Sequence, residues 1–298
     1  MSKENEIWTI SKVINWTSNH FKTNEIESPR LSAEVLMTHC LGCSRIDLYL
    51  KHDQPLNKSE LEDYKKLLNR RLNNEPIAYI VGKKEFWSME FFVSPNVLIP
   101  RPETECLVEK SIELISDAQD LRILELGVGS GAVIISIASQ HLNNEYYATD
   151  VSEKAISIAK KNARVHLPNH DIIHFIKGEW LEPLENQPFF DMILSNPPYI
   201  ASKDIEKLQP EVSLFEPRLA LDGGIHGLDS IEIIINKAYN HLTPKGFLVI
   251  EIGFDQRDAV FQIANSTGMY ENISCEKDYA GFHRIVAMQK KHNETSDK

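Results

Sequence analysis

The residues with the most chemistry to offer close an apolar run: Asp191-Met-Ile-Leu-Ser195 leads straight into Asn196-Pro197-Pro198-Tyr199. Consecutive prolines lock the backbone and remove two N–H donors, leaving carbonyls free to accept. The Asn196 side-chain oxygen and the Pro197 carbonyl can both accept from one NH2 group. Tyr199 offers a flat wall to a planar substrate. Such a set suits an amino group conjugated to a plane, either a carboxamide or a nucleobase amine. The lone pair of such a nitrogen is delocalised and a weak nucleophile. Two fixed acceptors would orient it and favour the charge that develops as a new bond forms. No side chain stands out as a base, and this kind of help needs none.

A second constellation lies upstream. The stretch Glu125-Leu126-Gly127-Val128-Gly129-Ser130-Gly131 ends an apolar segment and runs into a helical pattern. Glycines there let the chain turn tightly and let a ligand approach the main chain. The spacing is G-x-G-x-G, with an acid two residues before the first glycine. That acid would oppose a pyrophosphate and suit a cation. Asp150 follows 21 residues after Gly129, the position from which an acid reaches ribose hydroxyls in nucleoside-binding sheets. S-adenosylmethionine has a ribose, no phosphate and a sulfonium charge, and it matches both features. The amino group held at Asn196 would then receive a methyl group.

These residues need a scaffold that brings three strand ends together. From residue 121 onward, strand and helix patterns alternate. Strands are expected at Leu121–Leu126, Tyr146–Thr149, Ile172–Ile176, Met192–Leu194, Phe247–Ile252, Asn272–Glu276 and Arg284–Met288. Helices are expected at Ala132–Gln140, Glu153–Val165, Ser230–Leu242 and Asp255–Ser266. Alternation of this kind predicts an α/β domain with a mostly parallel seven-stranded sheet and helices on both faces. The last two strands lack a long helix between them, so one is expected to be antiparallel. Residues 1–82 carry helical spacing instead, with Ile10, Val13, Ile14 and Phe21 in one segment and Leu61, Tyr64, Leu68 and Leu72 in another, and read as a small all-α bundle. Residues 83–100 read as a β-hairpin linker turning at Ser94-Pro95-Asn96, residues 101–290 as the sheet domain, and 291–298 as a disordered tail.

Composition narrows the classes. Of 298 residues, 42% are hydrophobic and 25% charged, which excludes a disordered or fibrous chain. No apolar run approaches membrane length, and the charged N-terminus lacks a signal-peptide core. Four cysteines form no disulfide scaffold, so a cytoplasmic setting is expected. Residues 1–85 carry 13 Lys and Arg against 12 Asp and Glu, whereas the remainder carries 19 against 31. An acidic second part argues against direct nucleic-acid binding and suits a basic protein partner. The chain is expected to contact no membrane and to act as a monomer.

The combination of Gly127–Gly131 with Asn196–Tyr199 resembles the class I S-adenosylmethionine-dependent amino-methyltransferases, whose domain is Rossmann-like. Further segments narrow the resemblance. They are Pro76-Ile-Ala-Tyr-Ile-Val-Gly82, Glu85-Phe-Trp87, Leu98-Ile-Pro-Arg-Pro-Glu-Thr-Glu105, and Phe215-Glu-Pro217 with Ala220-Leu221, Gly224 and Gly227-Leu228. Together they are similar to the peptide chain release factor glutamine N5-methyltransferases, also called the HemK or PrmC family. The resemblance implies that the substrate is the glutamine of the Gly-Gly-Gln loop in class 1 release factors. It also implies that Gly127, Val128, Gly129, Ser130, Gly131, Asp150, Trp180 and Asn196 hold the cofactor. Asn196, Pro197, Pro198 and Tyr199 would form the glutamine pocket, with Asn196 and Pro197 catalytic. The helical bundle and hairpin would dock the release factor. A glutamine methyltransferase acting on a ribosomal protein and a nucleobase amino-methyltransferase share the pocket chemistry and stand as alternatives.

Other features read as structural. Cys40-Leu-Gly-Cys43 has no second pair to complete a metal site. Trp8 and Trp16 are expected to pack in the bundle, and Lys65-Lys66 with Arg70-Arg71 to form a solvated basic face.

Overall fold

The computed structural model describes residues 7–116, 118–184 and 189–292. These gather into two compact units: the described residues up to Gly82 together with Gln209–Phe215, and Lys83–Leu208 together with the residues from Glu216 onward. The tail expected at 291–298 lies outside the described residues apart from Lys291 and His292.

The first unit is helical: α1 (Ile10–Thr23), α2 (Pro29–Leu41), α3 (Arg45–Leu50), α4 (Lys58–Leu72) and α5 (Ile77–Val81). Ile10, Ile14, Phe21, Leu36, Met37, Tyr64 and Leu68 form its core. Each large aliphatic side chain buried there contributes about 1.5–3 kcal/mol. Glu34 is buried within it, accepting from Arg30 Nε and Arg45 Nη2, both at 2.6 Å. Burial alone would raise its pKa, but the two guanidinium groups outweigh that and hold it below its ordinary value. Two expectations fail here. Trp16 is half exposed and stacks on His20 instead of joining the core. Lys65 and Lys66 are exposed as expected, whereas Arg71 is buried and ion-paired with Glu211 at 2.6 Å and Arg70 pairs with Glu75, so only the lysine half of the stripe is a solvated face.

The second unit opens with the hairpin β1 (Lys83–Phe86) and β2 (Met89–Phe92). Its turn is Trp87-Ser88, both at positive φ, and Phe86 pairs directly with Met89. That is a two-residue turn of the type that matches strand twist. A turn does form at residues 94–97, closed by the Val97 N–H on the Ser94 carbonyl at 3.1 Å, but it lies after the hairpin rather than at its tip, and Val97–Ile99 is not a strand. Neither Trp nor Ser signals such a turn. Burial of Phe86 and Phe91 in the larger core decides it.

After α6 (Glu105–Ile115), the elements are β3 (Arg122–Leu126), α7 (Ala132–Gln140), β4 (Glu145–Asp150), α8 (Glu153–His166), β5 (Ile173–Lys177) and β6 (Phe190–Ser195). They continue as α9 (Pro210–Ser213, part of the first unit), α10 (Asp229–Ala238), β7 (Leu242–Glu251), α11 (Arg257–Thr267), β8 (Tyr270–Lys277) and β9 (His283–Lys290). The seven-stranded sheet has the order β5-β4-β3-β6-β7-β9-β8. All pairs are parallel except those of β9, which runs against both β7 and β8. The α/β expectation is met, including the single reversed strand. The largest boundary change lies between α10 and β7: α10 stops at Ala238 because Leu242 already pairs with Phe190 as the start of β7.

Each central strand feeds two cores. Ile123 of β3 faces the layer of α6, α7 and α8, while Leu124 and Leu126 face that of α10 and α11. A strand buried on both faces must be apolar throughout, which is why these strands read clearly in the sequence. The chain lays down β3, β4 and β5 outward, then returns to place β6 on the other side of β3. Ligands of such sheets bind beyond the carboxyl ends of the strands where the order reverses.

Candidate active site

Three strand ends meet at that reversal. The Gly127–Gly131 loop follows β3, Asp150 ends β4, and Asn196 follows β6. Around them lies a cavity of about 410 Å³. Its wall includes Gly127, Val128, Gly129, Ser130, Asp150, Trp180, Asn196 and Pro198 of the expected site residues. Gly131, Pro197 and Tyr199 do not line it.

The glycine loop is tied back to the neighbouring strand. Gly127 and Val128 both donate their N–H groups to the Thr149 carbonyl, at 2.9 and 3.0 Å. Gly129 has φ +52° with open space where a Cβ would be, and its N–H donates to Asp150 Oδ2 at 2.9 Å. Gly131 has a different reason to be glycine. A Cβ there would sit 2.7 Å from Ile135 and 3.1 Å from Ala159, at φ +80°, so this glycine lets α7 pack close to α8 and caps its start.

Two carboxylates border the cavity. Asp150 also accepts from Ser152 N–H at 2.8 Å. Burial raises its pKa, and the two backbone bonds only partly oppose the rise. Glu125 is fully buried and accepts the N–H of Ile134 in the first turn of α7 at 3.0 Å. Burial pushes it well above its ordinary value, and nearby Asp150 adds to the shift. A positive charge bound in the cavity would lie beside both carboxyl groups and would favour their ionised forms. Trp180 sits opposite the glycine loop, its carbonyl held by the Thr149 hydroxyl at 3.0 Å and its ring 3.5 Å from where a Gly127 Cβ would lie. A side chain on Gly127 would crowd the ring.

Asn196 is oriented from outside its own motif. Its Nδ2 donates to Thr104 Oγ1 at 3.1 Å. The amide oxygen is thereby left as the free acceptor. Pro197 is buried. Tyr199 packs against the α10 and α11 core, and its hydroxyl donates to Glu251 Oε1 at 3.1 Å. The expected flat wall for substrate is thus not part of the cavity lining. A core position fixes the tyrosine instead.

The segment Leu98–Glu105 gains a physical account. The Ile99 N–H donates to Glu216 Oε2 at 3.0 Å, and Arg101 pairs with the other oxygen of that buried carboxylate. Thr104 holds Asn196, and Glu105 accepts the N–H of Trp87 in the hairpin turn at 2.8 Å. Leu98, Pro100, Arg101 and Thr104 line the cavity, as do Pro217, Leu219 and Ala220. Sequence reasoning assigned no role to Thr104, Arg101, Glu216 or Glu251. The available signals were the resemblance segments that contain Arg101, Thr104 and Glu216, and, for Glu251, an acid at the carboxyl end of an apolar strand.

The comparisons with known proteins agree with this architecture. A family model described as PrmC N-terminal domain matches residues 12–82, and one described as methyltransferase small domain matches 104–212. A release factor glutamine methyltransferase of Geobacter sulfurreducens is 39% identical over 286 residues, covering 96% of this chain and 98% of the relative. The chain belongs to the release factor glutamine methyltransferase family. Its Escherichia coli member is 39% identical over 260 residues, 87% of this chain and 92% of that one. A solved methyltransferase from Pyrococcus furiosus aligns with a TM-score of 0.52 at 19% identity, covering 76% of this chain and all of that chain, which is a likeness of fold. Family membership also explains why the motif segments span both units: the first model lies within the helical unit and the second lies mostly in the sheet unit.

Proposed function

We infer that this protein methylates the side-chain amide nitrogen (N5) of the glutamine in the Gly-Gly-Gln motif of class 1 peptide chain release factors, with S-adenosylmethionine as donor. The observation that carries the reading is the Asn196 amide at the cavity wall, its NH2 end held by Thr104 and its oxygen left to accept. The cofactor fits on three counts. The cavity's 410 Å³ lies within the range of small-ligand sites, roughly 300–1,000 Å³. Glu125 and Asp150 suit a positive sulfur, and a glycine faces the Trp180 ring where an adenine would stack. When bound, S-adenosylmethionine supplies a methyl group activated by sulfonium charge.

The chain's own residues do the rest. Asp150 holds the ribose, the Gly127–Gly131 loop keeps its main chain open to the ligand, and Trp180 lies against the base. Asn196 Oδ1 and the Pro197 carbonyl accept from the substrate NH2 and fix the nitrogen's direction. Their negative ends stabilise positive charge on those N–H groups as the nitrogen forms its new bond. Pro198 closes the pocket, and Tyr199 holds the turn rigid through Glu251. Glutamine is favoured over a nucleobase amine because the second unit is acidic and the relatives' names specify a release factor. A translation factor as substrate supports a cytoplasmic setting, and we read the protein as a monomer that contacts neither nucleic acid nor membrane.

The test is incubation of purified protein and cofactor with a class 1 release factor, ribosomal proteins and nucleic acid in parallel, read by mass spectrometry. A gain of one CH2 mapped to the Gly-Gly-Gln peptide is expected. Labelling of a ribosomal protein or of nucleic acid, with none on the release factor, would overturn the assignment.

A further inference from the structure

A turn built on two prolines must be held from outside. Pro197 and Pro198 have no N–H groups, so neither can tie the bridge from Asn196 to Pro198 through a main-chain donor. The entry to the bridge is fixed in the sheet. Ser195 pairs with Leu126 on one side and Ile250 on the other, and its hydroxyl donates to the Leu126 carbonyl at 2.8 Å. The exit is fixed on a loop. Ile200 donates its N–H to the Leu221 carbonyl at 3.0 Å and accepts the N–H of Gly223 at 2.8 Å.

Between these posts, one side chain gathers three main-chain groups. Gln256 Nε2 donates to the Tyr199 carbonyl at 3.0 Å and to the Gly227 carbonyl at 2.9 Å, while its Oε1 accepts the N–H of Gly253 at 2.8 Å. The side chain is nearly buried, and the opposite amide orientation would set an oxygen against two carbonyls. Two glycines let the loop lie this close. A Cβ on Gly223 would sit 2.7 Å from the Pro198 carbonyl, and one on Gly227 would collide with the Tyr199 carbonyl and stand 2.9 Å from Gln256 Nε2.

We propose that Gln256 is a positioning residue for methyl transfer: its NH2 group clamps the exit of the Asn-Pro-Pro-Tyr turn onto the 221–227 loop and so aims the acceptors at the substrate nitrogen. Consecutive prolines make the bridge stiff. A stiff bridge pivots as a unit when one post yields, so loss of the clamp displaces Asn196 Oδ1 and the Pro197 carbonyl together. A misplacement of about 1 Å at reacting atoms costs on the order of a hundredfold in rate. The clamp serves a second wall too, since Leu219 and Ala220 line the cavity and lead directly into the loop that Gln256 holds. The glycine loop and Asp150 stand on β3 and β4, apart from these contacts. This rests on the reading of Asn196 and Pro197 as acceptors of the glutamine amide.

The test uses the full-length protein with Gln256→Met, Gln256→Glu and Gly227→Ala. Methionine keeps the volume and removes all three bonds. Glutamate keeps the shape, but ionised it donates to neither carbonyl and protonated to only one. Alanine at 227 pushes on the Tyr199 carbonyl independently of Gln256. Each variant is expected to lower kcat on a release factor by about tenfold or more, with KM for the release factor and Kd for the cofactor changed less than about threefold. Amide exchange supplies a readout that needs no activity. Ile200 and Gly223 should exchange about tenfold faster in Gln256→Met, while Ile193 and Leu194 within β6 keep their wild-type protection. Wild-type kcat in Gln256→Met, or unchanged exchange at Ile200 and Gly223, would overturn the proposal. So would an equal loss of protection along β6, which would make Gln256 a support of the whole sheet. If the wild type methylates no glutamine, the functional reading fails, while the exchange data still decide the clamp.

Discussion

At the residue scale, the proposed chemistry rests on Asn196 and on two acids, Glu125 and Asp150, that line the same cavity. Asn196→Ala removes one acceptor from the reacting nitrogen and should lower turnover by roughly two to three decades, as loss of one transition-state partner does elsewhere. Steady-state kinetics on a release factor would show it, and unchanged turnover would remove Asn196 from the mechanism. Asp150→Ala should act on cofactor affinity before rate, visible as a raised dissociation constant in calorimetry. The pH dependence is set by Glu251. Burial raises its pKa to about 7, opposed by Thr104, Tyr199 and Arg284 and reinforced by Glu103. Arg284 is itself neutralised by Asp278. The consequence is one for stability. A carboxyl whose pKa is higher in the fold binds more protons there than in the unfolded chain. Stability therefore declines as pH rises from near 4.5 to about 7 and stays lower above it. Glu251→Gln should flatten that part of a denaturation series across pH.

At the element scale, one buried side chain links the hairpin to the glycine loop. Asn162 of α8 accepts from Phe92 N–H at 2.8 Å and donates to the carbonyls of Phe92 at 3.0 Å and Ser130 at 2.8 Å. It therefore couples β2 to the loop that borders the cavity, and α8 acts as the spacer between them. Asn162→Ala leaves three backbone groups without these partners, one of them buried and two part-buried, and should cost about 2–4 kcal/mol. Urea unfolding should show a lower midpoint at unchanged slope. A midpoint shift below about 0.5 kcal/mol would mean the link is dispensable. The hairpin itself shows why some elements are hard to read. Its turn residues, Trp87 and Ser88, carry no turn signature, and both take positive φ because Phe86 and Phe91 must both reach the core. The parallel strands are the converse case, since burial on both faces writes an apolar run that needs no tertiary information to recognise.

At the scale of the whole molecule, charge is the property with a functional consequence. The excess of acid lies beyond residue 85, in the part that carries the cavity. A basic acceptor loop would be drawn to it over distances of about a Debye length, roughly 8–10 Å at ordinary ionic strength. We predict that kcat/KM falls as salt rises while kcat changes little. A salt-independent kcat/KM would show that the charge asymmetry plays no part in encounter. The segment Gln209–Phe215 belongs by packing with the helical unit, although it sits between two stretches of the sheet unit. Its tie is the buried Arg71–Glu211 pair, made between residues 140 positions apart.

By itself the sequence determined the α/β class, the strand count, the glycine loop, the strand-end aspartate and the Asn-Pro-Pro-Tyr turn. These are local properties: periodicity, apolar runs and backbone chemistry are carried by neighbouring residues and survive in any alignment of the chain with itself. It also carried the family resemblance, because that rests on short ordered segments. Only the tertiary structure decided what those segments do. Thr104 meets Asn196 across 92 positions and Tyr199 meets Glu251 across 52, and no local signal couples residues so far apart. It also placed Tyr199 against the core and Gly131 where two helices close together, contacts that depend on which atoms the fold brings within a few ångströms.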